Sequence, residues 1–430
     1  MALSILLVVV ALALAAALAF HPRLRGSEAW QATVVPLASI MGSGFLVSAP
    51  LLGQAVGRWA MPSMAALLAV AFALGHVIRF NIQYAEPREA KASPRRAGDH
   101  RLQHAHGATS DAHRDAAPHA ANTVERISHL GLALAYVVTI AYYLKLLAAF
   151  ALSQIGVEAA WAAPALASGI LAGLTLTGLA FGLGLLEKLD RYAIALNFGV
   201  IAAILLGLLV YNGRLLAAGQ WALPPQVQID APTQTLRVLM GLLIVVQGFE
   251  TSRFLGSEHS AALRVRSMRW AQLLSSAIYV LFLGLITALF QGGGSQDADV
   301  TAVIALLKPV APVLPLLVLV AAIFSQFSAA VADDSGNVGL VRSMLGPKVP
   351  SWVPYLLIGG LAAGIIWGTD PVQVIAWASR AFAAFYALQC VVAVLTVARV
   401  QVSRPRLRQV AYSVLGVVSL AVAVFGVPAG

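Results

Sequence analysis

The chain has 430 residues, 60% of them hydrophobic and 11% charged, with a mean hydropathy of +0.83; a water-soluble globular protein carries nearer a quarter charged residues, so that class is excluded. Its apolar segments run on without the two-residue alternation of barrel strands, which excludes a β-barrel, and the single cysteine, Cys390, rules out an intrachain disulfide and a cysteine-rich metal site. The net charge of +10 reports topology, because the basic residues sort by loop.

Twelve apolar segments are predicted, at 3–20, 30–57, 61–83, 124–152, 161–186, 192–211, 235–256, 270–290, 313–332, 352–368, 372–398 and 409–427, numbered zero to eleven. About 20 apolar residues cross about 30 Å of hydrocarbon as a helix, so the expected fold is an all-α polytopic membrane protein of about 12 transmembrane helices. With the link that carries Arg23 and Arg25 placed in the cytoplasm, alternate connections hold 22 of the 28 Lys and Arg residues, as the positive-inside rule requires. The other six, Arg58, Lys145, Arg214, Arg237, Lys308 and Arg380, fall on the outer side or within helices, and both termini face outward. Segment zero lacks a basic region before it and is followed by Arg23 and Arg25, which favours a retained helix over a cleaved signal peptide.

Residues 85–123 hold three prolines, one leucine and no valine, isoleucine or aromatic, a composition that buries no core and predicts a disordered loop. Five of the nine histidines lie there, His100, His104, His106, His113 and His119; their spacing fits no closed structural metal site, and a solvated loop is the preferred reading. Asn122, three residues before Glu125, reads as a cap opening segment three. After segment seven, Gly292–Gly294, Asp297 and Asp299 lead into a stretch ended by Lys308, Pro309, Pro312 and Pro315. Residues 298–308 are expected to form a short helix on the outer surface, since prolines so closely spaced do not fit one straight span.

In lipid every backbone amide needs a partner within its own segment, so glycine clusters and mid-span prolines mark close packing or a deliberate break. Segment one contains Pro36, Gly42-Ser43-Gly44-Phe45, Pro50 and Gly53; segment six contains Gln247-Gly248-Phe249-Glu250-Thr251-Ser252-Arg253 and Gly256. At an offset of 204, Gly44, Phe45 and Ser48 fall on Gly248, Phe249 and Ser252. Each of these segments opens a block of five, and because five is odd the blocks insert with opposite orientation, as in inverted-repeat transporters. Gly169, Gly173, Gly178 and Gly182 of segment four are read as packing glycines.

The Pro-x-x-x-x-x-Gly-Ser-Gly-Phe stretch of segment one, the Gly-Phe-Glu of segment six and the five-plus-five count resemble the amino acid-polyamine-organocation (APC) superfamily, whose members have the LeuT fold. The resemblance covers roughly residues 30–398; the helix before segment one and the His-rich insert depart from the usual pattern. It implies one five-helix repeat over 30–212, a second over 213–398, and extra helices in 1–29 and 399–430. It also implies a solute site at the breaks. Amide N–H groups near Gly42, Ser43, Gly44 and Phe45 would receive an anionic group, and carbonyls near Gly248 and Phe249 an ammonium. In sodium-coupled members, helix-one carbonyls and helix-eight hydroxyls share the ion, here the carbonyls of Ala38 and Met41 with Ser325 and Ser328. Such hydroxyls also bond back to their own helix, which is the competing reading.

Ionisable groups inside spans are costly and mark function or pairing. Glu250 reads either as a proton carrier or as the partner of Arg253 one turn on. Lys145 and Arg380 lie in the outer halves of their helices, where long side chains snorkel or meet substrate. Asp333 and Asp334 are expected near the cytoplasmic end of segment eight, as an inner-gate pair with Arg342 or with the cluster Arg264–Arg269. Tyr136, Tyr142, Tyr143, Trp377, Phe382 and Phe385 are candidate aromatic gates. The expected function is secondary transport of a small organic solute, an amino acid or related amine, coupled to Na⁺ or H⁺, in a bacterial inner membrane. The alternative is a transport-silent sensor signalling through 85–123. No P-loop is present; no metal site, resident cofactor or nucleic-acid partner is expected, and no enzymatic triad lies in the spans.

Overall fold

The computed structural model describes residues 1–86, 118–153, 155–157, 159–181, 184–225, 231–255, 259–290, 300–345, 349–350 and 352–428. Residues 87–117 of the His-rich loop, with His100, His104, His106 and His113, and Gly182, Gly256, Gly292–Gly294, Asp297, Asp299 and Lys348 lie outside them; the loop's last six residues, 118–123 with His119, are helical instead of disordered. The described residues form helices joined by turns, with no strand among them.

Helix is found in each of the twelve predicted segments. Nine helical stretches among the described residues are long and apolar enough to cross a membrane; one of them, Glu28–Tyr84, carries both segment one and segment two. Segment nine, Trp352–Gly368, is a shorter apolar helix of 17 residues, and segment six is interrupted. The chain is an integral, multi-pass membrane protein.

Several ends differ from expectation. Segment three begins at Pro118, four residues before Asn122, so Asn122 does not cap it. Segment eight runs over Leu314–Leu345, more than three turns past its expected end. The helix expected over 298–308 is confined to Val303–Leu307, and Val303 and Leu307 are fully buried, so it is packed into the protein.

Segment one consists of two helices, Glu28–Ser43 and Phe45–Val56, with Gly44 between them. Ser27 opens the first by accepting a hydrogen bond from the Trp30 N–H at 3.3 Å, the usual role of a serine N-cap. Segment six starts as the helix Pro232–Gly241, narrows to a 3₁₀ turn at Leu243–Val246, passes through extended Gln247 and turns helical again at Thr251–Phe254.

Around these two broken segments, segment seven packs along one and two, segment eight along one, three and five, and segment ten along two, three and eleven. Segment zero lies along segment five with Leu7 and Ala11 buried. Their approach is close because Gly199 has no side chain: a Cβ there would stand 2.2 Å from the Ala11 carbonyl oxygen. In segment four, Gly178 fits against the Tyr355 ring, whereas Gly169 and Gly173 meet nothing within 4 Å. Packing within the chain therefore explains only Gly178 of those three.

Candidate functional site

The two broken segments cross backbone to backbone at their breaks. A Cβ on Gly44 would lie 2.3 Å from the Val245 Cα and 2.8 Å from its carbonyl oxygen; one on Gly248 would lie 2.5 Å from Ser39 Oγ and 2.8 Å from the Ile40 nitrogen. Gly248 also has φ +112°, a conformation open to glycine and strained for other residues. The glycines singled out by the 204-residue offset are thus the contact points between the two breaks.

A break at this depth frees polar backbone groups that lipid cannot satisfy, and neighbouring side chains take them up. The Tyr279 hydroxyl lies 3.1 Å from the Ile40 carbonyl and also meets the Val245 carbonyl, so one phenol spans both segments. Ser379 Oγ accepts from the Ile244 N–H at 2.7 Å. Gln326 Nε2 donates to the Gly42 carbonyl at 3.1 Å. The Gly248 carbonyl accepts from Thr251 Oγ1 at 2.7 Å. Phe45 packs between Tyr279 and Phe282, with ring centroids 5.4 and 4.4 Å away.

Glu250 is buried, 1% exposed. Its Oε2 accepts from the Tyr386 hydroxyl at 2.8 Å and from the Gly248 N–H at 3.1 Å, both neutral donors. Phe249 stacks on Tyr386 at 5.3 Å with an interplanar angle of 14°. Phe382 meets Tyr136 edge-on at 5.8 Å. Tyr136 lies within electrostatic reach of both Glu250 and Asp333, and Asp333 accepts from Thr139 of segment three. Asp333 and Asp334 are both buried within a helix that continues to Leu345. Both carboxyl groups are thus enclosed by protein, with the helix continuing past them.

The arginine-rich end is closed by a polar network. Glu86 pairs with Arg264 through both oxygens, at 3.3 and 2.6 Å, and with Arg253 at 3.6 Å. Arg264 donates to the Arg253 carbonyl at 2.6 Å, Arg253 donates to Gln389, and Asn81 donates to Gln389 Oε1 at 2.8 Å. Arg264 thus takes Glu86, not the expected aspartates, as its acidic partner.

Lys145 and Arg380 stand apart from the crossing. Lys145 is buried, 4% exposed, and donates to the carbonyls of Ile366, at 2.8 Å, and Thr369 at the end of segment nine, where a cation meets the negative end of the helix. It does not snorkel. Arg380 Nε donates to the Ala423 carbonyl at 2.7 Å, tying segment ten to segment eleven. Of the residues assigned to a sodium site, Ser325 Oγ donates back to the Ala322 carbonyl at 3.2 Å. Ser325 and Ala329 face Gly42, Met41 is buried and Ser328 is 7% exposed. Of the aromatics, Trp377 is 47% exposed and Tyr136, Tyr142, Tyr143, Phe382 and Phe385 are buried. Tyr279, Gln326, Ser379 and Tyr386 carry the geometry of the crossing without having been singled out by any local motif.

Residues 22–426 match the family described as APC superfamily transporter. The chain is also 35% identical over 372 residues, 86% of its length and 85% of the relative's, to an uncharacterized protein of Aquifex aeolicus (strain VF5). A match across nearly the whole chain, on a bundle with two mid-span breaks, makes this protein a member of the APC superfamily of transporters.

Proposed function

We propose that the protein is a secondary active transporter of a small organic solute, an amino acid or related amine, working by alternating access around the crossing of segments one and six. The observation that carries this reading is the pair of mid-span breaks that touch at Gly44–Val245 and Ser39–Gly248. Such breaks are unfavourable in lipid and are kept where they line a site. The reading includes two inverted five-helix repeats, 30–212 and 213–398, as in the LeuT fold, and the matching positions of the breaks at an offset of 204 support it. So does the placing of the extra helices, since segment zero flanks segment five and segment eleven flanks segment ten, the last helices of the two blocks. The setting is an inner membrane of a bacterium, in keeping with the bacterial relative.

In this reading Gly42, Ser43, Gly44 and Phe45 form one wall of the solute site and Gly248, Phe249 and Glu250 the other. Glu250 carries the coupling proton: it is a buried carboxylate held by a phenol and a backbone N–H, so its charged form lacks full compensation there. Sodium is the second reading, favoured by one observation. Gln326 Oε1 is buried without a hydrogen-bond partner among the described residues on a side chain that also reaches the Gly42 carbonyl.

The test is thermal stabilisation of the purified protein by amino acids, amines, polyamines and organic acids, each at two pH values with and without sodium, because a specific ligand raises apparent stability by mass action. A solute that stabilises the wild type and drives proton-coupled uptake into liposomes is the expected result. A solute that binds without ever being accumulated would overturn transport in favour of a sensor.

A further inference from the structure

At the arginine-rich end, three helices carry a set of cations that the transport site does not use. His76 and Arg79 project from segment two, Arg269 from segment seven and Arg408 from segment eleven. Among the described residues, the groups acting electrostatically on His76 are Arg79, Arg408 and Arg269, all of one sign. Arg269 also acts on Arg79. The nearest acid along segment two, Glu86, is committed to Arg264 and Arg253.

Arg79 is held in place rather than neutralised. It is 4% exposed and donates to Gln272 Oε1 and to the Phe72 carbonyl at 3.3 Å. Its guanidinium lies 4.9 Å from the centre of the Phe72 ring. Its Nε is buried with no hydrogen-bond partner among the described residues. Gln272 reaches it by lying against Gly75, where a Cβ would be 2.2 Å from the amide oxygen. A buried guanidinium compensated, among the described residues, by dipoles and a ring is expensive unless an anion approaches.

The level and surroundings of the cluster identify the anion. Segment eleven starts at Pro405, so Arg408 marks the entry to the membrane. Arg408 sits 5.8 Å from the Phe80 ring centre, and Tyr412, one turn deeper, lies 6.0 Å from the His76 ring. His76 and Arg269 are exposed and Arg408 half-buried. Beyond them Trp270, Leu273 and Leu274 of segment seven and Val414 of segment eleven are also exposed, an apolar wall suited to acyl chains. Cations at the entry level above such a wall match a lipid carrying negative charge on its headgroup.

We propose that the groove between segments two, seven and eleven binds an anionic phospholipid of the leaflet at the arginine-rich end. Its phosphate lies between Arg269 and Arg408 over His76, and Arg79 supplies the positive field beneath. The site does not depend on the solute or coupling assignments.

The experiment is native mass spectrometry of the full chain from neutral detergent, titrated with phosphatidylglycerol or phosphatidylethanolamine, alongside thermal stability with the same lipids. The wild type is expected to retain phosphatidylglycerol preferentially and to be stabilised by it. Replacing both exposed cations, Arg269→Gln with Arg408→Gln, is expected to weaken phosphatidylglycerol binding about thirtyfold. His76→Gln, with every arginine kept, is the second variant and should produce a smaller loss. Arg404→Gln with Arg406→Gln removes the same charge from outside the groove and should leave binding unchanged. Equal losses in the two double variants would overturn the site, as would equal binding of the two lipids. Stabilisation by inorganic phosphate as strong as that by phosphatidylglycerol would overturn the lipid as its ligand.

Discussion

Gly44→Ala tests the crossing with the smallest possible change. The new Cβ would stand 2.3 Å from the Val245 Cα, 2.5 Å from its Cβ and 2.8 Å from its carbonyl oxygen. Carbon atoms rest about 3.5–4.0 Å apart, so one break must retreat by more than 1 Å, roughly, from the other. The atoms in the way are mostly backbone, and that backbone is pinned by Tyr279 and Ser379, so no rotamer change relieves the clash. Overpacking of this kind costs about 1–3 kcal/mol. The control is Gly360→Ala, in segment nine with nothing within 4 Å of a new Cβ. There alanine should gain up to about 1 kcal/mol from helix propensity. Thermal unfolding of both purified variants, read by fluorescence-detected size exclusion, should separate them clearly, and Gly44→Ala should lose solute-dependent stabilisation. Equal unfolding temperatures for the two variants would refute the close crossing.

Three further predictions probe separate parts of the molecule. Lys145→Met should lower stability by about 1.5–3 kcal/mol, the worth of a charged hydrogen bond, without altering solute affinity. Thermal unfolding and a solute titration check the two halves of that claim. Glu86→Gln should loosen the closed end, because Arg264 and Arg253 lose their shared acid; faster labelling of a Ser252→Cys probe in a Cys390→Ser background is the readout. Tyr386→Phe removes the 2.8 Å hydrogen bond to Glu250 while keeping the ring stacked on Phe249. It should move the pH profile of uptake and leave thermal stability within about 1.5 kcal/mol of wild type.

The breaks were legible in the sequence because backbone-to-backbone contact needs glycine, and glycine inside an apolar span stands out: Gly44 and Gly248 could be named from the chain alone. Their supports could not. Tyr279, Gln326 and Tyr386 each put one polar group on an otherwise ordinary helix, and their partners lie in distant segments, 136 residues away for Tyr386 and Glu250. The end of segment eight was misplaced for a related reason. Asp333, Asp334, Ser335 and Asn337 end the apolar run that hydropathy reads, yet the helix continues past them to Leu345 with Asp333, Asp334 and Asn337 buried against protein. There Thr139 meets Asp333, and the Ala133 carbonyl accepts from Asn337 at 3.1 Å. Lys145 misled in the opposite direction. A lysine near a helix end suggests the interface, yet this one caps carbonyls of a helix more than 200 residues on.

The coupling ion is decided by two substitutions made in parallel. If Glu250 carries the proton, Glu250→Gln leaves a neutral side chain of the same shape that still accepts from Tyr386 and Gly248. Solute binding and stability should then be largely retained while uptake loses its dependence on a pH gradient. Ser328→Ala should leave that gradient dependence intact and sodium without effect. A sodium site between segments one and eight makes the reverse prediction. Ser328→Ala would raise the sodium concentration needed for half-maximal uptake, and Gln326→Leu, which removes the buried Oε1, would raise it further. Gln326 also holds the Gly42 carbonyl, so Gln326→Leu should lower stability under either ion; only its sodium response discriminates between them. Gradient-driven uptake that survives Glu250→Gln unchanged, together with sodium dependence shifted by Ser328→Ala, would refute the proton assignment and leave the crossing of the two broken segments as the solute site of a sodium-driven carrier.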